Sequence, residues 1–311
     1  MNESALRDLA LEFEKSLKVR NFSKRTIEGS AWRLSKFLDY LESKEIRDVY
    51  SITRDAVSSY QVELFETIGR FGRPNTVSFQ NGMLSVVKQF TSFLKEHDYI
   101  VSDPARDIRF AKTPKSLPRG VLSASEARKI IHKTDAKCVI GYRDRVILEV
   151  LYSTGIRKEE LNNLTLPDVD YSDGFLRITS GKGGRDRIVP LGRIACRYLE
   201  NYMKSVRPEL LRSPYETRLF LSSRGRPLSK NVVWELVKKY AKQAKVHKNV
   251  HPHTFRHTCA TVMLRNKANI RAVQELLGHS SLNSTQVYTH LSITDLKEIH
   301  ARCHPREKDR E

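Results

Sequence analysis

Six polar residues in the C-terminal half of this 311-residue chain have the types and settings to act on a phosphodiester: Arg157, Lys182, His253, Arg256, His279 and Tyr288. Together they supply two guanidinium forks, an ammonium acid, two imidazoles and a phenol nucleophile. Guanidinium forks match the non-bridging oxygens of a phosphate bidentately. A phenol that attacks phosphorus and holds it covalently divides one hard exchange into two easier ones. No carboxylate cluster for a metal accompanies them in the sequence. This inventory points to cutting and rejoining a nucleic-acid backbone without a cofactor.

Each residue has a local context and a plainer alternative. Arg157 follows Thr154-Gly155-Ile156, where glycine ends one helix and the arginine begins the next. Glu160 comes one turn later and can hold that arginine, although an ordinary surface ion pair reads the same way. Lys182, in Gly181-Lys182-Gly183-Gly184-Arg185, falls at a predicted hairpin tip, from which an ammonium can reach a departing oxygen or merely touch a phosphate. His253 and Arg256 are i, i+3 neighbours at the start of a predicted helix, and helix N-termini favour anions. His253 and His257 also have the i, i+4 spacing of a metal pair. They lack the intervening glutamate of a zinc-protease helix and any completing Cys or Asp cluster, so no metal is expected and His257 is read as structural. His279 follows Leu276-Leu277-Gly278, the end of a helix built on Ile270, Val273, Leu276 and Leu277, and is placed to donate a hydrogen bond. Tyr288, in a polar segment, gains weight only from the other five, since a half-buried core tyrosine is the usual reading.

The elements that must position these residues follow from periodicity. Ser23 is a candidate N-cap for a helix with Ile27, Leu34, Leu38 and Leu41 on one face. A second helix is expected from about Thr76 to Lys95, with Val77, Leu84, Val87 and Leu94 inward. Asp103-Pro104, Thr113-Pro114 and Leu117-Pro118 favour an extended linker. Ser123 to Glu126 matches a capping box before Ala127 to His132. Gly141 to Thr154 is a helix with Val146, Ile147, Val150 and Leu151 buried and Gly155 at its C-terminal end. The period then switches: Val169 to Tyr171, Phe175 to Thr179 and Arg185 to Val189 read as a small antiparallel sheet. After Pro190 helices resume, interrupted at Arg218 to Leu221 and at Gly225-Arg226-Pro227. The fold class is mainly α with a small antiparallel β-sheet, in domains at 1–110 and 122–293, a linker at 111–121 and a C-terminal segment at 294–311.

Composition narrows the partners. Lys and Arg outnumber Asp and Glu by 55 to 36, a net charge of +19, and hydrophobic residues are 39%. That balance suits a globular protein with a polyanionic partner. The N-terminus has no apolar h-region, and no apolar run reaches membrane-spanning length, so neither secretion nor a membrane is expected. Cys138, Cys196, Cys259 and Cys303 form no C-x-x-C pair, which fits a reduced, cytoplasmic protein.

Taken together, the motifs resemble those of the tyrosine recombinase (phage integrase) family. The resemblance covers about Ser23 to Arg306 and rests on Thr154-Gly155-Ile156-Arg157 with Glu160-Leu161, Gly181-Lys182-Gly183, His253-x-x-Arg256-His257, Leu276-Leu277-Gly278-His279 and Tyr288. Phe255 and Cys259 are small departures with hydrophobic roles. The Ser23 to Ile27 helix start, the Asp103-Pro104-Ala105 linker entry, the Leu296 to His300 ending with His304-Pro305-Arg306, and the short interval between Lys182 and His253 resemble the Xer-like branch. The resemblance implies a two-domain clamp on duplex DNA: an N-terminal helical SAM-like core-binding domain and a catalytic domain. It implies attack by Tyr288 to give a 3′-phosphotyrosyl link, protonation of the 5′ oxygen by Lys182, and binding of non-bridging oxygens by Arg157 and Arg256. His253 would be base or hydrogen-bond partner, His279 a transition-state donor, and Glu160 a support. No metal, cofactor or ATP is implied. The partner would be double-stranded DNA with a specific recombination site, bound by a homotetramer that docks through the C-terminal segment, with Leu296, Ile299 and Cys303 as its apolar face. A frayed tail is the plainer reading of the last seven residues. A partner recombinase or an accessory protein is a further candidate.

Two other classes share parts of this pattern. A type IB topoisomerase would use the same phosphotyrosine but stay monomeric and only relax supercoils. A non-catalytic DNA-binding protein would lose nothing when Tyr288 becomes Phe.

Overall fold

The computed structural model describes residues 4–69, 72–113, 120–179, 186–278 and 293–307. Lys182, His279 and Tyr288 lie outside the described residues. The chain divides into two compact units, Met1–Ser116 and Leu117–Glu311.

The first unit is built from α1 (Ser4–Val19), α2 (Lys24–Ser43), α3 (Arg54–Glu66) and α4 (Val77–Glu96). Ser23, Thr53 and Thr76 cap α2, α3 and α4 by accepting from the backbone N–H groups of Thr26, Ala56 and Phe79. Ile27, Leu34, Leu38 and Leu41 are buried as their spacing predicts, against Phe13, Phe90 and Leu94. Val77, expected inward, is only half-buried because it opens its helix. Helix α3 goes beyond the sequence expectation. It buries only Ala56, Val57, Tyr60 and Leu64, a stripe too thin to stand out by periodicity. The residues just before the expected linker also join this unit. Ala105 and Ile108 are buried in this core, Asp103 Oδ1 accepts from Ala105 N at 2.9 Å, and Lys88 Nζ donates to the Arg106 and Ile108 carbonyls.

The second unit begins with α5 (Ala124–Ile131), whose Ser123–Glu126 capping box is present in full. It continues through α6 (Val139–Thr154), α7 (Lys158–Asn163), the strands β1 (Val169–Asp170), β2 (Phe175–Ile178) and β3 (Arg187–Pro190), and α8 (Arg193–Asn201). A π-helical turn, Tyr202–Val206, joins α8 to α9 (Arg207–Leu210), and α10 (Val232–Gln243), α11 (Pro252–Arg265), α12 (Ile270–Leu277) and α13 (Ile293–Cys303) follow. The sheet is antiparallel in the order β1-β2-β3, with Leu176 opposite Val189. The fold is therefore mainly helical with one small antiparallel sheet. Its core centres on α6, where Val146, Ile147, Val150 and Leu151 are fully buried as expected.

In the single chain the C-terminal segment packs on its own second unit. Leu296 and Cys303 are buried and Ile299 is half-buried in the chain's own second unit. The docking is largely polar. His300 Nε2 donates to Ser153 O at 2.8 Å and His304 Nε2 to Tyr152 O at 3.0 Å. Arg306 forks onto buried Glu149 at 3.0 and 2.6 Å. Through Glu307 the tail forms a short helical turn whose buried polar groups are paired.

Candidate active site

Helix α6 ends on Gly155, which adopts a left-handed φ of 61°. A side chain there would be strained by that φ, and its Cβ would meet Leu277 Cδ2 at 2.7 Å. The chain turns at buried Ile156, and Arg157 becomes the N-cap of α7. Glu160, at the third position of α7, accepts from Arg157 N at 2.7 Å through Oε2 and from Arg157 Nη1 at 2.7 Å through Oε1. The carboxylate thus fixes both ends of one residue.

Arg256 comes from the second turn of α11, a helix opened by Pro252 at its first position. The residue is 7% exposed. Nη1 donates to Gly155 O at 2.8 Å and Nη2 to Leu277 O at 2.6 Å. Burial, and next the charge of Arg157, push its pKa down to about 10. It remains a cation at neutral pH.

One residue of this site is missing from the sequence-derived set. Arg187, the first residue of β3, forks onto Glu160 with Nη1 to Oε1 at 2.9 Å and Nη2 to Oε2 at 2.8 Å. Its Nε donates to Leu276 O at 3.1 Å. Three consecutive carbonyls at the end of α12 are therefore taken by three arginines: Leu276 by Arg187, Leu277 by Arg256, and Gly278 by Arg157 Nη2 at 2.7 Å. Helix C-termini leave such carbonyls without intrahelical partners and carry partial negative charge, so cations are favoured there. Gly278 is left-handed at φ 66°, and a Cβ on it would press on the Arg187 guanidinium at 3.0 Å. In the sequence Arg187 looks like one more charge in a basic hairpin, and no local spacing marks it.

The four acceptances by Glu160 hold its pKa down to about 2; its burial opposes this, and hydrogen bonds from Arg187 and Arg157 overcome it. His253 lies on the exposed side of α11, one turn before Arg256. Partial burial lowers its pKa, aided by the charges of Arg256, His257 and Lys158. Its ring is neutral at neutral pH and can accept a proton. His257 is exposed, its ring facing outward from α11. Phe255 and Cys259 are fully buried, in keeping with their hydrophobic reading. Ile270, expected on the apolar face of α12, is 59% exposed as the first residue after the Asn269 cap. Among the described residues no three His, Cys, Asp or Glu side chains converge as a metal site requires.

Of the six sequence-derived residues, Arg157, Arg256 and His253 are on described elements, and the two arginines meet at the end of α12. Lys182, His279 and Tyr288 are outside the described residues.

Comparison with known proteins agrees with this fold. Residues 120–294 match the Phage integrase family. Tyrosine recombinase XerC 2 of Ralstonia nicotianae is 37% identical over 296 residues, covering 95% of this chain and 85% of that protein. Tyrosine recombinase XerD of Staphylococcus epidermidis is 37% identical over 287 residues, covering 92% and 95%. The XerH site-specific recombinase, solved bound to difH substrate in a pre-cleavage complex, shares the fold with a TM-score of 0.67 and 21% identity, covering 96% of this chain and 84% of that one. The chain belongs to the phage integrase family, the tyrosine recombinases.

Proposed function

We propose that this chain is a site-specific tyrosine recombinase that cuts and rejoins duplex DNA through a 3′-phosphotyrosyl intermediate. The observation that carries the reading is the meeting of Arg157 and Arg256 at the end of α12, immediately before His279 in the chain. Two fixed cations beside one another suit a dianionic transition state more than any neutral ligand.

In this scheme Arg157 and Arg256 bind the non-bridging oxygens, and Glu160 keeps Arg157 aimed. Tyr288 attacks phosphorus, its phenolic proton passing towards neutral His253. Lys182 gives a proton to the departing 5′ oxygen, and His279 donates to the phosphorane. The phosphotyrosyl bond then stores the energy that the 5′ hydroxyl uses for rejoining, so no ATP is needed.

The net charge of +19 supports a duplex DNA partner, bound largely through its phosphates. We assign the first unit to core binding and the second to catalysis. A synaptic tetramer linked through the C-terminal segment would require α13 to exchange its present intramolecular seat for the same seat on a neighbour. The four cysteines are free thiols, which fits work in a reducing cytoplasm. No described helix is long and apolar enough to cross a membrane.

The test uses a duplex recovered from a randomised pool by binding to this chain, nicked beside the scissile phosphate so that cleavage cannot reverse. An SDS-stable protein–DNA adduct should form, survive EDTA and vanish in Tyr288→Phe. An adduct retained in that variant removes Tyr288 as nucleophile. Lys182→Ala should cleave slowly and recover on a 5′-thio leaving group, which needs no proton.

A further inference from the structure

We propose that Arg187 is a positioning residue for strand cleavage, acting through Glu160 to keep the Arg157 fork open towards the phosphate. The inference rests on the recombinase reading above and extends it to a residue outside the six.

The argument begins with the acceptor capacity of one carboxylate. An ionised Glu offers roughly four lone-pair sites on two oxygens. In Glu160 all four are used: two by the Arg187 fork, one by Arg157 N and one by Arg157 Nη1. Because Arg187 occupies both oxygens with its two terminal nitrogens, Arg157 meets Glu160 with only one of its own. Its other, Nη2, is turned to Gly278 O. Without Arg187, the favoured geometry for an isolated Arg–carboxylate pair is the parallel fork, which would draw Arg157 wholly onto Glu160. That would turn it away from Gly278 and from any phosphate beside Arg256.

Charge points the same way. Arg157, Arg187 and Arg256 carry three positive charges around the single negative charge of Glu160. The site therefore keeps a net positive charge with Arg187 present. Without it, one carboxylate would offset half of the remaining pair.

The placement of Arg187 adds a second link. It starts β3, five residues after Lys182 in the chain, and its Nε holds Leu276 O three residues before His279. Gly278 lies against its guanidinium, and a Cβ there would come within 3.0 Å of it in a left-handed backbone that disfavours side chains. One side chain thus ties the start of β3 to the end of α12, the described elements nearest Lys182 and His279 in the chain, and both to Arg157.

The experiment measures single-turnover adduct formation on the nicked duplex described above, with duplex affinity and thermal melting recorded for every variant. Arg187→Ala should slow adduct formation on the order of a hundredfold while duplex affinity changes little. Arg187→Lys, which keeps the charge but not the fork, should fall between. Added ethylguanidinium should partly restore Arg187→Ala. The deciding measurement is the double-mutant cycle with Glu160→Gln. If Arg187 acts through Glu160, the second substitution costs far less in the Arg187→Ala background than alone. Independent, multiplying effects overturn the proposal, as does an Arg187→Ala chain that cleaves at the parent rate. If Arg187→Ala does not fold, the same cycle with Arg187→Lys decides. If the parent chain itself forms no adduct, the recombinase reading fails first and the proposal falls with it.

Discussion

Arg157 and Arg256 grip consecutive carbonyls of one helix end: Nη2 of the first donates to Gly278 O at 2.7 Å, and Nη2 of the second to Leu277 O at 2.6 Å. Two like charges are thereby held close in a setting partly removed from water. Glu160 and the partial negative charge at the end of α12 offset some of the repulsion. An anion between the two guanidinium groups would offset the rest.

Removing Arg256 should therefore affect stability and chemistry separately. Arg256→Ala leaves the buried Gly155 and Leu277 carbonyls without their donors, costing about 1–3 kcal/mol in thermal or denaturant unfolding. Arg256→Lys keeps the charge and part of the bonding. It should melt near the parent but form the covalent adduct roughly a hundredfold more slowly, the usual scale for losing one transition-state donor.

Glu160 makes a prediction at acid pH. Its folded pKa of about 2 is depressed from 4.5, so its contribution to stability is present above the unfolded value and is lost as pH falls through the folded one. A shift of that size corresponds to roughly 3 kcal/mol. Urea unfolding of the parent should weaken steadily from about pH 4.5 towards pH 2, and Glu160→Gln should flatten that slope while being less stable at neutral pH.

On the proposed scheme, His253 would set the acid side of cleavage. Its pKa is lowered below the ordinary 6.5 by partial burial and nearby cations, and the neutral ring is the form that accepts a proton. Single-turnover cleavage should be level at neutral pH and fall at a midpoint below 6.5. His253→Gln should be slower throughout and lack that acid limb. A limb that persists in the variant assigns the titration elsewhere.

The seat of the C-terminal segment is open to test through Arg306. Breaking a buried ion pair costs about 3–5 kcal/mol, and Arg145 stays on Glu149 at 3.0 Å, which places Arg306→Met at the low end. Limited proteolysis should release the segment faster from this variant. Acid should act similarly. Burial lowers the pKa of His300 and His304 below 6.5, so the undocked rings take up protons first and docking weakens as pH falls below that value. His300 faces the Ser153 carbonyl, Glu307 and the stacked His304 ring, and His304 faces the Tyr152 carbonyl and Arg306.

Much of this protein is written locally. Ser23, Thr76, Ser123 and Gly155 mark helix ends by short-range chemistry, and buried stripes such as Ile27, Leu34 and Leu38 follow from helical period alone. The same locality gives the half capping box in which Glu160 takes the Arg157 backbone N–H. The order Arg157, Lys182, His253, Arg256, His279 and Tyr288 is enough to suggest the family, because each motif combines a chemical group with its positioning neighbours. Arg187 was beyond that reach. Its value depends on facing Glu160 and Leu276, which stand 27 and 89 positions away in the chain, and no pattern within β3 encodes such a meeting. The tail is a mixed case: its spacing predicts a docking face on which Leu296 and Cys303 are buried, while the polar partners Glu149, Tyr152 and Ser153 on α6 that seat it in the single chain have no local signal. The sequence by itself determined which groups could act on a phosphate. Only the tertiary structure decided that three arginines share one helix end and one carboxylate, since that sharing requires β3, α7, α11 and α12 to converge.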